Sequence, residues 1–396
     1  MILLLFACTQ KPLFTAEEKK ILLRMQLLDT SSEDSSNQFA KNTATQNFGE
    51  LLFFETRLSQ TDEISCSTCH NPEKGWADGL TLAQGLSQTQ RHAPSLWAAP
   101  HMRWMNWDGS CDSLWCQATG PLEKPGEMGM TRIQLVHTLQ ESETLRSTYE
   151  ELFGVLPDTS SWPISGSPAS FVSTEDQEAW LMLSEEEQNQ ATSVLVNVAK
   201  SIAAFEGTIA TPLTPLDTFV ETLAEDEQEA LSLLSAAQER GMRLFVGEGQ
   251  CHLCHSGPYL TDSQFHNIGL PITDTTPEED LGRYSGLEVL FSHPFRQSEI
   301  WSDDPNGIQA QQVQRLTRSS EDLGRFKTPS LRQLSQTAPY MHTGQFQTLL
   351  EVVSHYTQVN ENPIQGHTEE FLFPLEWTDQ DKEAVVQFLL MASNTQ

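Results

Sequence analysis

Apolar side chains recur along much of this chain with the three- and four-residue spacing of amphipathic helices. The pattern predicts helices over 17–28, 191–205 and about 226–247. A last helix is predicted from Thr378, because Thr378 and Asp381 form a capping-box pair just before a periodic apolar run. No strand-rich region is found, so the pattern predicts a mostly α-helical protein with few or no strands.

Four segments between the predicted helices lack a regular apolar period. Residues 29–47 are rich in Ser, Asn, Thr and Gln and are predicted to form a linker. Residues 154–190 are rich in Pro, Ser and Glu with scattered Trp, and we expect them to form a surface insertion. We expect 211–225 to bridge two domains and 272–322 to form a long loop.

Two pentapeptides have the pattern Cys-x-x-Cys-His, which is the attachment signal for c-type haem. The first contains Cys66, Cys69 and His70, and the second contains Cys251, Cys254 and His255. In such a motif the two thiols form thioethers with the porphyrin, and the His becomes the proximal ligand of the iron. A redox Cys-x-x-Cys, a zinc knuckle and coincidence are the alternatives, and a second motif closed by His disfavours all three. The sequence therefore predicts two covalently bound haem c groups.

The length of 396 residues is ample for two domains, and each predicted domain carries one motif. We predict a leader and linker over 1–47, an N-terminal domain over 48–210 and a C-terminal domain over 226–396. The loop 272–322 would wrap the second haem. The predicted architecture is two cytochrome c-like haem domains in tandem.

The charge balance is strongly acidic. The chain has 23 Lys and Arg against 54 Asp and Glu, a net charge of −31, which argues against nucleic acid as a partner. The excess would suit a positively charged partner, a saline habitat or simply a solvated surface, and the sequence leaves these open. Because no run of about 20 apolar residues occurs, no membrane-spanning helix is predicted.

Cys8 directly follows a short apolar run at the N-terminus and resembles the lipid-modified Cys of a bacterial lipobox. The run is short for a signal peptide and has no basic residues before it. A start codon assigned too far downstream would explain both departures, and the alternative is an N-terminus without an anchor. Covalent haem attachment takes place outside the bacterial cytoplasm, so we expect the protein in the periplasm or cell envelope in either case.

Cys111 and Cys116 are the two remaining cysteines. In an oxidising envelope they could form a disulfide. Five positions apart on a regular helix they would point in different directions, so a bridge requires a bend in the backbone. A disulfide and two free thiols both remain open.

Further motifs occur in a fixed order around the two haem signals. Over about 48–392 the chain resembles the bacterial dihaem cytochrome c peroxidase and MauG family. The motifs that carry the resemblance are 53–59, 107–109, 117–122, 127–129, 255–258, 265–269, 326–332 and 338–344.

The resemblance assigns roles to three residues near the first haem, which is the peroxidatic one in that family. Gln117 and Glu127 take the positions of a Gln and a Glu on its distal side, and Trp107 takes that of a Trp between the haems. A carboxyl there can accept a proton from peroxide and return it to the leaving oxygen. A neutral amide can orient peroxide, and an indole can relay an electron.

The chain departs from the family at three positions. Phe346 stands where we align the sixth ligand of the second haem, and a phenyl ring cannot bind iron. No His occurs near Gln84, where the peroxidases have a distal His on the first haem, and neither His92 nor His101 is favoured as a substitute. We therefore expect the first haem to be open to peroxide. His92 replaces an Asn that helps to bind calcium in many relatives, so calcium binding is a weaker expectation.

The resemblance implies an enzyme that reduces hydrogen peroxide to water with electrons from a small cytochrome or copper protein. One alternative is a MauG-like oxidase that modifies a partner protein. In the peroxidases the sixth ligand of the second haem is a Met, and the absence of that Met and of the distal His favours this alternative. The other is a plain electron-transfer dihaem cytochrome, which the presence of Gln117 and Glu127 disfavours.

Overall fold

A computed structural model describes residues 13–27, 34–274, 276, 280–360, 363 and 365–394. The prediction of a mostly α-helical fold is confirmed, since the regular elements in these ranges are mainly helices joined by irregular segments and short 3-10 turns. Two short strands pair antiparallel, β1 (Phe265–His266) with β2 (Phe326–Lys327). The helices are α1 Ala16–Leu23, α2 Thr43–Phe53, α3 Cys66–Cys69, α4 Leu114–Glu123, α5 Arg132–Glu141, α6 Glu143–Phe153, α7 Thr174–Trp180, α8 Glu185–Glu206, α9 Pro215–Glu225, α10 Glu227–Ser232, α11 Ala236–Val246, α12 Arg283–Ser292, α13 Ile308–Gln314, α14 Leu349–Thr357 and α15 Asp379–Leu390.

The first hydrophobic core surrounds α8, the longest helix described. A capping box between Ser184 and Glu187 starts α8, and its buried face packs against α2, α4 and α5. Gly49 of α2 lies at the crossing with α8, where a Cβ would come within 1.8 Å of the Ser201 carbonyl oxygen. Only Gly permits so close an approach of the two backbones.

The second hydrophobic core is built on the crossing of α11 and α15. Gly241 lies at this crossing, where a Cβ would come within 1.9 Å of the Ala384 carbonyl oxygen. The rings of Phe245 and Phe388 pack beside it with centroids 5.2 Å apart. The predicted start of the last helix is confirmed, because Thr378 caps α15 in a capping box.

The described residues of the segment 1–47, predicted as a leader and linker, pack onto both cores. Helix α1, predicted over 17–28, places Leu22 and Met25 in the second core, where both side chains are fully buried. Ser36 is buried in the first core and its Oγ accepts a hydrogen bond of 2.8 Å from Trp115 Nε1. The polar residues of this segment are buried because hydrogen bonds within the protein satisfy them, so a polar composition does not indicate a solvent-exposed linker here. Cys8 and the lipobox prediction lie outside the described residues.

Other segments that lack an apolar period also fold onto the cores. Within 154–190, predicted to be a surface insertion, Trp162 and Trp180 are buried in the first core and α7 is formed. The predicted bridge 211–225 contains α9, which starts with Pro215 in the first helical turn, where Pro needs no backbone donor.

Two further boundaries differ from the sequence-based predictions. The helix predicted over 226–247 is divided into α10 and α11, because Ser235 caps a new helix. The predicted loop 272–322 includes α12 and α13, which bury Leu287, Leu290 and Val313 against Trp104. In the described part of the chain, no helix combines the length and apolar character that crossing a membrane would need.

Candidate functional site

One cavity extends between the two cores and reaches both Cys-x-x-Cys-His motifs. His70 lines one end, His255 lines the other, and Trp107 lies on the wall between them. Most of the lining is apolar, with side chains such as Leu96, Trp97, Val352, Val353 and Leu389. A large flat apolar cofactor with an iron at its centre requires such a lining.

In the first motif, helix α3 carries the two Cys side chains and ends at His70. The Ser65 and Thr68 side chains form a capping box that starts this single turn. His70 Nδ1 lies 3.2 Å from the carbonyl oxygen of Trp76. A proton on Nδ1 then leaves Nε2 free to bind a metal, which is the usual arrangement of a ligating His. Burial lowers the pKa of His70 and so favours the neutral imidazole that iron requires.

The second motif repeats this arrangement on a 3-10 turn, Cys251–Leu253. His255 Nδ1 lies 3.0 Å from the carbonyl oxygen of Leu260, and burial lowers the pKa of this imidazole as well. Both motifs therefore present a neutral, oriented imidazole to the cavity beside two thiols. These residues fit two c-type haems, held by Cys66, Cys69 and His70 at one end and by Cys251, Cys254 and His255 at the other.

Trp107 connects the two halves of the molecule. Its Nε1–H donates to the His92 carbonyl oxygen at 2.9 Å, and its own carbonyl accepts from the Lys327 N–H at 2.8 Å. Its ring lies 6.3 Å from that of His342. Burial and the charge of Arg91 hold the pKa of His342 at about 3, so this imidazole is neutral. These contacts fix the position of Trp107 in the wall of the cavity, and its relay role between the haems stays a prediction.

The two predicted distal residues lie on and just after α4. Gln117 is in the first turns of α4 and lines the cavity. Glu127 follows the helix, and its carboxylate forms an ion pair of 2.9 Å with Lys124 Nζ. The Glu127 carbonyl oxygen accepts the Leu86 N–H at 3.0 Å, and Cys69 Sγ lies 3.8 Å from the Gln84 carbonyl oxygen, so Glu127 contacts the segment that touches the first motif. The structure thus places both residues around the first motif, and their catalytic roles stay predictions.

Sequence reasoning missed two cavity residues. Glu206 ends α8 with a buried carboxyl whose Oε2 has no hydrogen-bond partner, and burial raises its pKa to about 8. Tyr356 is on α14 and lines the cavity, and burial raises the pKa of its hydroxyl. Tyr356 lines the same cavity as Cys251, Cys254 and His255 of the second motif.

The alignment of Phe346 with the sixth ligand of the second haem is not supported by the structure. Phe346 pairs with Tyr340 in an isolated β-bridge and packs on the ring of His355 at 5.6 Å. Tyr356, ten residues later, is the side chain that faces the cavity. The helical phase of α14 would have indicated this position, since Val352, Val353 and Tyr356 lie on one face.

The two His side chains discussed as substitutes for a distal His make other contacts. His92 Nδ1 lies 2.7 Å from the Leu80 carbonyl oxygen, and the ring of His101 stacks on that of Tyr259 at 4.3 Å. His92 also lines the cavity, and its Nδ1 is paired with a backbone carbonyl as that of His70 is, which leaves its Nε2 free. An open distal position on the first haem iron and the binding of calcium both stay predictions.

Comparisons with known proteins agree with this geometry. Residues 43–225 match the family model described as di-haem cytochrome c peroxidase. The methylamine utilization protein MauG of Methylorubrum extorquens is 30% identical over 347 residues, which is 86% of this chain and 76% of MauG. The cytochrome c551 peroxidase of Pseudomonas aeruginosa is 27% identical over 77% of this chain and 69% of its own.

The solved structures show the same fold. The diheme peroxidase BthA from Burkholderia thailandensis superposes with a TM-score of 0.65 at 19% identity, over 89% of this chain and 86% of that one. Two covalently bound haem c groups follow from the family and from the two motifs. The chain therefore belongs to the di-haem cytochrome c peroxidase family that includes MauG.

Proposed function

We propose that this protein reduces hydrogen peroxide to water at the first haem, with electrons that arrive from a small redox protein through the second. The observation that carries the proposal is that Gln117 and His70 line the same cavity, with Glu127 bound to the segment that touches Cys69. An amide and a carboxylate near the iron are the groups that O–O cleavage needs, and a plain electron-transfer cytochrome does not need them.

Haem c at these motifs supplies the redox-active iron at which peroxide is bound and reduced. The chain supplies the proton transfers. Glu127 accepts a proton from peroxide and returns it to the departing oxygen, while the amide of Gln117 orients the substrate without adding charge. The Lys124 ammonium at 2.9 Å positions the Glu127 carboxylate. Burial lowers the pKa of Lys124, but the carboxylate charge outweighs burial and keeps this amine protonated.

Electrons would pass between the halves at Trp107. The Trp107 indole donates to the His92 carbonyl oxygen, and the Trp107 backbone carbonyl accepts from the Lys327 N–H, so both halves hold this residue in place. The net charge of −31 would attract an electron donor with a basic face, at a rate that falls as ionic strength rises. A small basic cytochrome c is the class of donor that fits.

The test is peroxide turnover by protein matured with both haems and supplied with a reduced small cytochrome. In Glu127→Gln the side chain keeps its size but loses proton transfer, so turnover should fall on the order of 10²–10⁴-fold while both haem spectra persist. Glu151→Gln, an exposed change on α6, is the matched control and should leave turnover unchanged. Equal rates for Glu127→Gln and the wild type would remove Glu127 from the mechanism.

The position of Tyr356 favours a second candidate, a MauG-like oxidase that modifies a partner protein. The hydroxyl lies in the cavity near Cys251 and Cys254, where it could reach the second iron. The relative MauG, 30% identical, belongs to this side of the family. In such an oxidase, a side chain of the partner protein supplies the electrons that a small redox protein supplies in the peroxidase.

Tyr356→Phe tests this reading through the second haem's spectrum. If the hydroxyl binds the second iron, its removal should change the ligand-field signature of that haem, whereas Tyr340→Phe should not. An unchanged spectrum in Tyr356→Phe would exclude the phenolate ligand. If peroxide is consumed steadily without added reductant while a partner protein becomes oxidised, the oxidase would be favoured over the peroxidase.

A further inference from the structure

Cys111, Cys116 and His293 form a buried cluster outside the haem motifs. Cys111 Sγ lies 3.8 Å from His293 Nε2, and Cys116 Sγ lies 3.5 Å from His293 Nδ1. Both cysteines are free thiols, with 3% and 0% of their surface exposed. The donor atoms of the three side chains all lie within 4.8 Å of one another. We call these three residues the thiol–imidazole cluster.

Three separate elements bring the cluster together. Cys111 pairs with Met105 in an isolated β-bridge, and Cys116 is in the first turn of α4. Ser113 caps α4 between them by accepting the Cys116 N–H, so the chain bends and both thiols can face the same point. His293 follows directly after α12 and is 182 residues distant from Cys111 in the chain. Such convergence of distant polar side chains in a buried place requires a compensating interaction.

The donor atoms are close enough to be ligands of a common metal ion. Metal–sulfur and metal–nitrogen bonds of about 2.3 Å and 2.0–2.1 Å, at trigonal or tetrahedral angles, place a sulfur and a nitrogen ligand about 3.6–3.8 Å apart. Cys111 Sγ lies 3.8 Å from Nε2 of His293 and Cys116 Sγ lies 3.5 Å from Nδ1, so only one of the two distances joins ligand atoms of a single ion. With one donor atom taken from each of the three side chains, all separations are within 4.8 Å. A disulfide between the same cysteines would make no use of His293.

Asp112 provides an independent observation at this place. Its Oδ2 accepts the Gln297 N–H at 2.8 Å, but its Oδ1 is buried without a hydrogen-bond partner, in a residue only 5% exposed. A buried carboxylate oxygen without a donor is costly, and a neighbouring cation would stabilise it. Asp112 follows Cys111 directly in the chain, and its carboxylate is not among the donor atoms that lie within 4.8 Å of one another.

We propose that Cys111, Cys116 and His293 bind one thiophilic cation with a filled d shell, Cu⁺ or Zn²⁺. Thiolates select such soft or borderline cations over calcium and magnesium. Two thiolates neutralise Zn²⁺ and leave a single negative charge with Cu⁺, so either ion reduces the charge that must be buried. The proposal does not depend on the chemistry at the haems.

The cluster lies directly behind the first half of the haem cavity. Met105 and Leu114 pack against the two cysteines and line the cavity on their other side. Gln117 follows Cys116 in the chain. A bound cation would therefore fix the start of α4, and with it the orientation of Gln117, against the segment that carries His293.

A second group of metal-binding side chains, Cys254, Asp262 and His266, carries no such proposal. Cys254 belongs to the second haem motif, so its sulfur is committed to the porphyrin.

The test is a metal count on full-length protein with both haems. The protein is reduced under anaerobic conditions, treated with a mild chelator, exposed to Zn²⁺ in one arm and Cu⁺ in the other, and desalted. We expect one added cation for every two haem irons in at least one arm, and the arms identify which ion binds. X-ray absorption at the edge of the added metal should show two sulfur neighbours near 2.3 Å and at least one nitrogen neighbour near 2.0–2.1 Å.

The variants Cys111→Ser, Cys116→Ser and His293→Gln should each lose the added cation. His367→Gln, at an exposed imidazole, and Cys8→Ser are the matched controls and should retain it. The haem absorption spectrum reports whether each variant is folded. Two results would overturn the proposal: no added cation in either arm, or an equal count in the Cys111→Ser variant. A tryptic peptide lighter by two hydrogens, together with no uptake after reduction, would assign a disulfide instead.

Discussion

The two haem motifs are built alike, but their surroundings differ. Each places a neutral His, oriented by a backbone carbonyl, at one end of the same cavity. Around His70 the additional groups are polar, with Gln117, Glu127 and the buried Glu206. Around His255 the residues of α14 contribute Tyr356 and apolar side chains. The attachment motif thus fixes the cofactor, and we propose that the side chains beyond it separate a peroxide-reducing end from an electron-entry end.

The folds of the two halves are also similar in construction. In each half, two helices cross at a Gly that allows direct backbone contact. Gly49 of α2 lies against α8, and Gly241 of α11 lies against α15. Each also contains a buried ion pair, Arg132 with Glu123 in the first half and Arg332 with Asp217 in the second. Matched changes in the two halves can therefore separate what each contributes.

The largest expected effect follows from removing one haem at a time. Cys66→Ser with Cys69→Ser should leave one haem and abolish peroxide turnover, because the catalytic side chains then face no iron. Cys251→Ser with Cys254→Ser should also leave one haem but should stop only the supply of electrons from the donor. A pyridine haemochrome count with turnover measurements checks both. Since a bound cofactor stabilises only the native state, each variant should also unfold more easily.

That comparison fails if the two double variants behave alike in a single-turnover reaction with peroxide. The first should not react, and the second should still consume peroxide when it is reduced chemically. Equal reactivity would mean that peroxide chemistry is not confined to the first half.

The next effect concerns the buried ion pairs. Glu123→Gln and Asp217→Asn each leave a buried Arg without its partner, which costs about 3–5 kcal/mol of unfolding free energy. Thermal or denaturant unfolding of the haem-loaded protein measures the loss, with Glu151→Gln on the surface as control. A loss below about 1 kcal/mol in both variants would show that neither ion pair contributes much to the stability of the half that contains it.

The second pair also predicts a pH dependence. Burial raises the pKa of Asp217, but the Arg332 charge and hydrogen bonds outweigh burial and lower it overall. A lowered pKa in the folded state stabilises the protein above the unfolded-state pKa of about 4, and this stability is lost as the pH falls through the folded-state value. Asp217→Asn should therefore lose less stability than the wild type between about pH 4 and pH 2.

The smallest effect is expected at the helix crossings. Gly49→Ala and Gly241→Ala each force a methyl against a carbonyl oxygen, and overpacking of this kind costs about 1–3 kcal/mol. Gly120→Ala is the matched control, because its nearest neighbour would lie 3.6 Å from the new Cβ. In a helix that change should stabilise by up to about 1 kcal/mol. Destabilisation by Gly120→Ala equal to that at the crossings would contradict the packing account.

The sequence identified the elements whose signals are local. The two haem motifs, the helical class and the cap of α15 at Thr378 all depend on residues a few positions apart. The burial of Trp162 and Trp180 depends instead on a core made by distant helices, so a Pro- and Ser-rich segment was interpreted as surface.

Part of the candidate site was out of reach for the same reason. Cys111 and His293 meet across 182 positions, and no local spacing connects them. The spacing from Pro329 along the chain indicates Phe346 as the sixth-ligand position. The helical phase of α14 decides which side chain lines the cavity, and it places Tyr356 there. The Lys124–Glu127 ion pair, three residues apart after a helix, was within reach of a charge-pattern analysis.

The most direct test of the difference between the two ends is the state of the first haem in the resting, fully oxidised protein. The sequence has no His near Gln84, where the family's distal His lies, and we predict that neither His92 nor His101 takes its place at the first iron. Low-temperature electron paramagnetic resonance should therefore show a high-spin ferric signal, and stopped-flow mixing should show reaction with peroxide without prior reduction. A purely low-spin resting protein that reacts with peroxide only after one electron is added would contradict the account.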